Sequence, residues 1–255
     1  MRGTDGEKRV DFLIAGVQKA GTTALFDYLA EIPALELPAV KEAHFFDEEE
    51  TDWAAPDYAG YHALFSDPGK LWGEATPIYI YWPNALERIR AYNPAMRLIL
   101  TFRDPIERAW SHWKMEYARG KETEPFAWCI SEGRARMANA APYPGFHRVY
   151  SYVERGFYGR QLARVLSLFP REQILLLGSD GLKSDPTGTI RSICAFLGIA
   201  APAGEIAAKI SRPAADIDYQ ATLSDSDVIF LQRQYADEMR RFGLLGGNGL
   251  FPQKD

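Results

Sequence analysis

Short apolar runs at residues 12–17, 71–75, 97–102 and 173–177 alternate with segments of helical period at 22–31, 84–92, 105–119, 156–169, 186–197 and 224–242. No other property of the chain constrains its fold as strongly. A strand followed by a helix and a parallel strand makes a right-handed crossover, and repeated crossovers cover both faces of a sheet. The expected fold class is therefore α/β, a three-layer α/β/α arrangement around a central parallel sheet. A chain of 255 residues, 47% of them hydrophobic, can bury one core of that kind. We expect one domain over residues 1–255, with frayed ends at 1–10 and 246–255. In open parallel sheets ligands bind beyond the carboxyl ends of the strands, which is where the polar clusters of this sequence fall.

Composition narrows the possible partners. No stretch approaches the ~20 apolar residues of a membrane span, so no integral membrane segment is expected. The N-terminus is charged and the apolar run after it is too short for a signal peptide, which points to a cytoplasmic protein. Cys129 and Cys194 lie in apolar helical contexts that suit reduced core residues, and no zinc-binding spacing occurs. A net charge of −5 gives no general attraction to nucleic acid. Nothing in the patterning fixes an oligomeric state.

The first strand runs directly into a small-residue loop with one lysine, Phe12-Leu-Ile-Ala-Gly-Val-Gln-Lys-Ala-Gly-Thr-Thr23, and then into a helix. Backbone N–H groups at a helix N-terminus, the positive end of the helix dipole and a Lys charge together make an anion cradle. The nucleotide triphosphatase loop G-x-x-x-x-G-K-[ST] carries its Lys immediately before the helix. Here Lys19 stands on the first limb of the loop, between Gly16 and Gly21, which disfavours an ordinary kinase or GTPase. An unspecialised βα turn is the other reading of this loop.

Three further clusters bear on chemistry. In Lys41-Glu-Ala-His-Phe-Phe-Asp47, an extended segment would put Glu42, His44 and Phe46 on one face, with a carboxylate beside a lysine as material for a general base. The same residues suit a solvated edge, because acidic residues continue to Asp52. In Arg103-Asp-Pro-Ile-Glu-Arg-Ala-Trp-Ser111, Asp104 and Pro105 are explained as helix cap and first turn. Arg103 is not, and Ser111 lies two turns on, close enough to share a phosphate with it. Gly73-Glu-Ala-Thr-Pro77 ends another strand at the same edge, where Glu74 either orients a Lys or acceptor group or merely closes the strand before a Pro-directed turn.

Taken together, these stretches resemble the sulfotransferase superfamily that uses 3′-phosphoadenosine 5′-phosphosulfate (PAPS), specifically the heparan sulfate N- and O-sulfotransferase branch and its bacterial relatives. The resemblance rests on Gln18-Lys-Ala-Gly-Thr-Thr-Ala-Leu25, Glu42-Ala-His-Phe-Phe-Asp47, Gly73-Glu-Ala-Thr-Pro-Ile-Tyr79 and residues 93–111, with a weaker continuation to about residue 200. It implies a P-loop NTPase-like sulfotransferase fold and a PAPS donor that leaves as 3′-phosphoadenosine 5′-phosphate (PAP), with no metal. It further implies Lys19 on the 5′-phosphate and bridging oxygen, with Gln18, Ala20, Gly21, Thr22 and Thr23 around it, and Arg103 and Ser111 on the 3′-phosphate. Glu42 falls at the general base of the glycan O-sulfotransferases, with His44 as its catalytic neighbour and competitor. Glu42, His44, Asp47 and Glu74 would face the acceptor, a glycan, glycolipid or small natural-product molecule sulfated on a hydroxyl or, as the lesser alternative, an amine.

The chain also departs from that pattern. The O-sulfotransferase branch reads E-K-T-P where this chain has Ala75, so one cation is missing or supplied elsewhere. The N-sulfotransferase branch has a His where this chain has Met115, and His112 lies on a different helix face. The family's cysteine-bracketed nucleotide loop is not recognisable, which leaves Arg212 as a candidate phosphate contact. A P-loop kinase for a small metabolite and a nucleotide-binding protein without transfer activity are the competing functions.

Overall fold

The computed structural model describes residues 8–208, 219 and 221–251. In chain order the elements begin with β1 (Phe12–Gly16), α1 (Thr22–Leu29), β2 (Leu35–Glu36), α2 (Tyr58–His62), β3 (Leu71–Ala75) and α3 (Ala85–Tyr92). They continue with β4 (Arg97–Phe102), α4 (Pro105–Ala118), α5 (Phe126–Ile130), α6 (Tyr158–Leu168), β5 (Ile174–Gly178), α7 (Gly181–Ser184), α8 (Pro186–Leu197) and α9 (Asp225–Phe242). The sheet has the order β2-β3-β1-β4-β5, and every pairing is parallel. The central strand β1 thus ends between β3 and β4, and the loops after these three strands meet at one edge.

Alternation along each strand divides the core into two layers. Leu13, Ala15, Leu98, Leu100 and Phe102 pack with α3, α6 and Phe242 on one face. Phe12, Ile14 and Ile99 pack with Leu25, Leu29, Ile190 and Ile193 of α1 and α8 on the other. Strands buried on both faces read as near-continuous apolar runs, as β1 does throughout and β4 does over residues 98–100. The three-layer α/β/α expectation holds.

Local chemistry sets the helix starts. Asp104 accepts from the N–H groups of Ile106 and Glu107, each at 3.0 Å, with Pro105 in the first turn of α4. Ser224 and Asp227 form a reciprocal capping box at the start of α9. The chain ends are held more closely than expected. Val10 is fully buried and its N–H donates to the Tyr92 hydroxyl at 2.8 Å. At the other end Phe251 packs on Tyr158 and Phe242. Among the described residues no helix is long and apolar enough to cross a membrane, and both cysteines are buried free thiols.

Candidate active site

Residues 17–21 carry the chain from β1 into α1, and Val17 N–H donates to Thr101 O at 2.7 Å, pinning this loop to the end of β4. Lys19 and Gly21 both take left-handed backbone, with φ of 72° and 83°. Gly21 does so without penalty as the N-cap of α1, whereas Lys19 is held there by its surroundings. The arrangement sets a lysine beside helix N–H groups that have no partner within the helix. Thr22 is buried and Thr23 exposed. Ala20, expected among the donor contacts, is committed to the loop itself: its methyl is buried and its N–H donates to Val17 O at 3.2 Å. The Gln18 side chain accepts from Nη1 of Arg155.

Cations collect around Lys19. Burial pushes its ammonium pKa down from 10.5, and Arg119, Arg103 and Lys114 push the same way against the opposing carboxylate of Glu116. Arg103 donates from Nε and Nη2 to Glu107 at 3.2 Å, and its carbonyl oxygen accepts from the Tyr158 hydroxyl at 2.9 Å. Ser111 is half-buried two turns along α4. Lys114 and Arg119 were not singled out from sequence, although Ser111 and Lys114 are three residues apart and share a helix face. Lys114 Nζ sits 5.6 Å from the ring centres of both Trp110 and Tyr219. Arg212 lies outside the described residues.

The segment carrying Glu42 leans on the end of β3. Glu42 N–H donates to Ala75 O at 3.1 Å, Ala43 N–H to Glu74 Oε1 at 3.3 Å and His44 N–H to Thr76 Oγ1 at 3.4 Å. It is not extended, which corrects the one-face reading. Glu42 and His44 have φ of 66° and 55°, and this left-handed turn brings their side chains together while Phe46 goes into the core. His44 Nε2 lies 3.5 Å from Glu42 Oε2, and His44 Nδ1 lies 3.0 Å from Asp47 Oδ2. Lys41 pairs with the other Glu42 oxygen. Asp47 is fully buried and is held by Arg148, whose guanidinium bonds both its carboxylate and its carbonyl oxygen.

These contacts set the charges. Hydrogen bonding to Asp47, then to Glu42, raises the His44 pKa from 6.5 to about 9 despite burial. Burial would raise the Glu42 pKa, but the His44 hydrogen bond and the Lys41 ammonium outweigh it and bring it to about 2. At neutral pH the site therefore presents an imidazolium between two carboxylates. Glu74, expected to face the acceptor, is instead 1% exposed beneath the Glu42 turn, and burial raises its pKa to about 7. Its Oε1 accepts from Ala43 N–H and from the Thr76 hydroxyl. His112 is also fully buried, against Tyr152, and burial pushes its pKa well below 6.5.

The sequence matches the family described as the sulfotransferase domain over residues 9–213. Heparan sulfate glucosamine 3-O-sulfotransferase 5 of Mus musculus is 29% identical over 187 residues, which make up 73% of this chain and 53% of that protein. The chain spans about half the length of the curated relatives it matches. A solved sulfotransferase from Alicyclobacillus acidocaldarius has the same fold, with a TM-score of 0.77 at 24% identity over 93% of this chain and 96% of that one. A mouse sulfotransferase complexed with PAP is similar in fold at a TM-score of 0.58 and 16% identity, over 94% of this chain and 88% of that one.

Proposed function

The chain belongs to the sulfotransferase domain family, and from that premise we propose that it transfers the sulfuryl group of PAPS to a hydroxyl of a glycan, glycolipid or small natural-product acceptor. The observation that carries this reading is Lys19 on the loop that enters the α1 N-terminus, where the charges of Arg119, Arg103 and Lys114 act on its ammonium. A lysine under the influence of three further cations, with Glu116 as the opposing charge, suits a ligand with more than one anionic group. The donor set therefore fits PAPS, which supplies the sulfuryl group and a phosphate leaving group. Sulfuryl transfer, like phosphoryl transfer, is expected to run in line through a loose transition state, so positioning and charge stabilisation dominate.

In this reading Lys19 and the α1 N–H groups meet the charge that grows on the leaving oxygen, while Arg103 and Ser111 hold the 3′-phosphate. Glu42 takes the acceptor proton. His44 cannot do so at neutral pH, because it keeps its own proton up to about pH 9. With a pKa of about 2, the resting Glu42 is a weak base. An acceptor hydroxyl that displaces Lys41 or His44 from the Glu42 carboxylate removes an interaction that holds this pKa down, and so strengthens the base as the acceptor binds.

The loop lacks the G-K-[ST] ending that places Lys and hydroxyl around Mg²⁺, which speaks against a metabolite kinase. Calorimetry with PAP against ADP–Mg²⁺ separates the readings. PAP should bind far more tightly, and preference for ADP–Mg²⁺ would reject the proposal. A screen with radiolabelled PAPS over sugars, glycolipids and phenols then identifies the acceptor class.

A further inference from the structure

Arg155 is 3% exposed, yet its hydrogen bonds among the described residues all reach neutral oxygens. Nε donates to Ser151 Oγ at 3.3 Å, Nη1 to the Gln18 side chain, and Nη2 to Arg148 O at 2.7 Å and His147 O at 3.4 Å. Its guanidinium lies 5.1 Å from the centre of the Tyr81 ring. Burying a cation without a carboxylate partner is unfavourable, and an apolar side chain would fill the volume at lower cost. What the guanidinium adds is geometry, since its planar fork can reach several acceptors at fixed angles.

The two ends of that fork lie on different halves of the site. Gln18 immediately precedes Lys19, whose left-handed φ of 72° must be imposed by its neighbours. Arg148 holds Asp47, and Asp47 holds His44. We infer that Arg155 is a positioning residue: by gripping the Gln18 amide and the Arg148 carbonyl together, it sets the Lys19 loop in register with the segment behind the Asp47–His44–Glu42 chain. The inference rests on the reading of the Lys19 loop as the donor site. It gives the Gln18 side chain a role in shaping that loop rather than in touching the nucleotide.

A double-mutant cycle on the full chain tests it, with Gln18→Ala, Arg155→Lys and their combination titrated with PAP by calorimetry and melted in parallel. Lys keeps the charge but cannot span both oxygens. Each single change should weaken PAP by about three- to tenfold, and the pair should be no weaker than the worse single variant, because both remove the same tether. Gln18→Ala lies in a surface loop and should melt close to the wild type, so a loss of affinity there does not come from unfolding. Additive losses, or wild-type affinity in Gln18→Ala, would show Arg155 to be a core residue only. If the wild type itself prefers ADP–Mg²⁺ to PAP, the donor-site reading fails instead, and the two failures are distinguishable.

Discussion

The His44 imidazole stands 3.5 Å from the Glu42 carboxylate and gives that carboxylate its direction, while Lys41 holds the opposite oxygen. Below about pH 9 His44 carries its proton, and above about pH 2 Glu42 has lost its own. The base can therefore be identified from a pH profile. With Glu42 as base, kcat/KM should be nearly level from pH 5 to 8 and change near pH 9, where the imidazolium is lost. Glu42→Gln should lower kcat by roughly 10²- to 10⁴-fold with nucleotide affinity nearly constant. A near-silent Glu42→Gln together with a wild-type rate that climbs toward pH 9 would make His44 the base.

Lys19→Ala should reduce kcat by orders of magnitude, because the cation acts on charge that develops as the leaving bond breaks. The fold should survive, since Lys19 stands on a loop outside the strands. Far-UV circular dichroism and a melting curve check the second point, and PAPS turnover checks the first. A folded Lys19→Ala protein with wild-type turnover would overturn the donor assignment.

Arg103→Ala should weaken PAP by roughly 1.5 to 3 kcal/mol, the scale of a hydrogen bond to a charged group. AMP, which lacks the 3′-phosphate, should bind as before. Equal losses for both nucleotides would mean that Arg103 acts through its Glu107 pair and the α4 terminus instead.

Much of this was legible in the chain. Largely apolar runs match β3 and β4 at 71–75 and 97–102 although Glu74, Arg97 and Thr101 lie within them, and Asp104-Pro105 marks the start of α4. A parallel sheet buried on both faces leaves that kind of record. β2 has two residues and leaves no period to read. Glu42 and His44 were found as a cluster, but their meeting comes from two left-handed residues that an extended reading cannot supply. Arg148 and Arg155 were missed because their partners Asp47 and Gln18 are 101 and 137 residues away along the chain. Ala20 and Glu74 lie inside recognisable motifs, and their burial leaves no trace in the local sequence.

Glu74→Gln should stabilise the protein as pH rises. Burial raises the folded pKa of Glu74 from 4.5 to about 7, so the unfolded chain gives up this proton at lower pH than the folded one. Stability is then lost between pH 4.5 and about 7 and stays lost above, by roughly 3 kcal/mol at most. Glutamine keeps the acceptor for Ala43 N–H and does not ionise. The melting temperatures of the two proteins should therefore be similar at pH 4.5 and diverge in favour of Glu74→Gln by pH 8. A constant difference across that range would show that Glu74 does not titrate in it.

Asp47→Asn tests the charge relay directly. The Asp47 hydrogen bond is the largest cause of the raised His44 pKa, so its loss should bring that value down from about 9 toward 6.5. The folded pKa lies above the unfolded one, so the pair stabilises the protein below pH 6.5, and this contribution fades as pH rises toward 9. Asparagine should reduce that dependence to the part due to Glu42. It should also leave Arg148 without its carboxylate, so some loss of stability at every pH is expected alongside. NMR titration of the His44 ring protons, carried out well below the melting temperature of the variant, follows the imidazole, and melting curves follow the loss of stability. Below about pH 6 His44 is protonated in either protein and still holds Glu42 down, so the acid side of kcat/KM should stay unchanged while the change near pH 9 moves toward 6.5. If the His44 resonances titrate as in the wild type, Asp47 does not govern the imidazole and the relay from Asp47 to Glu42 is wrong.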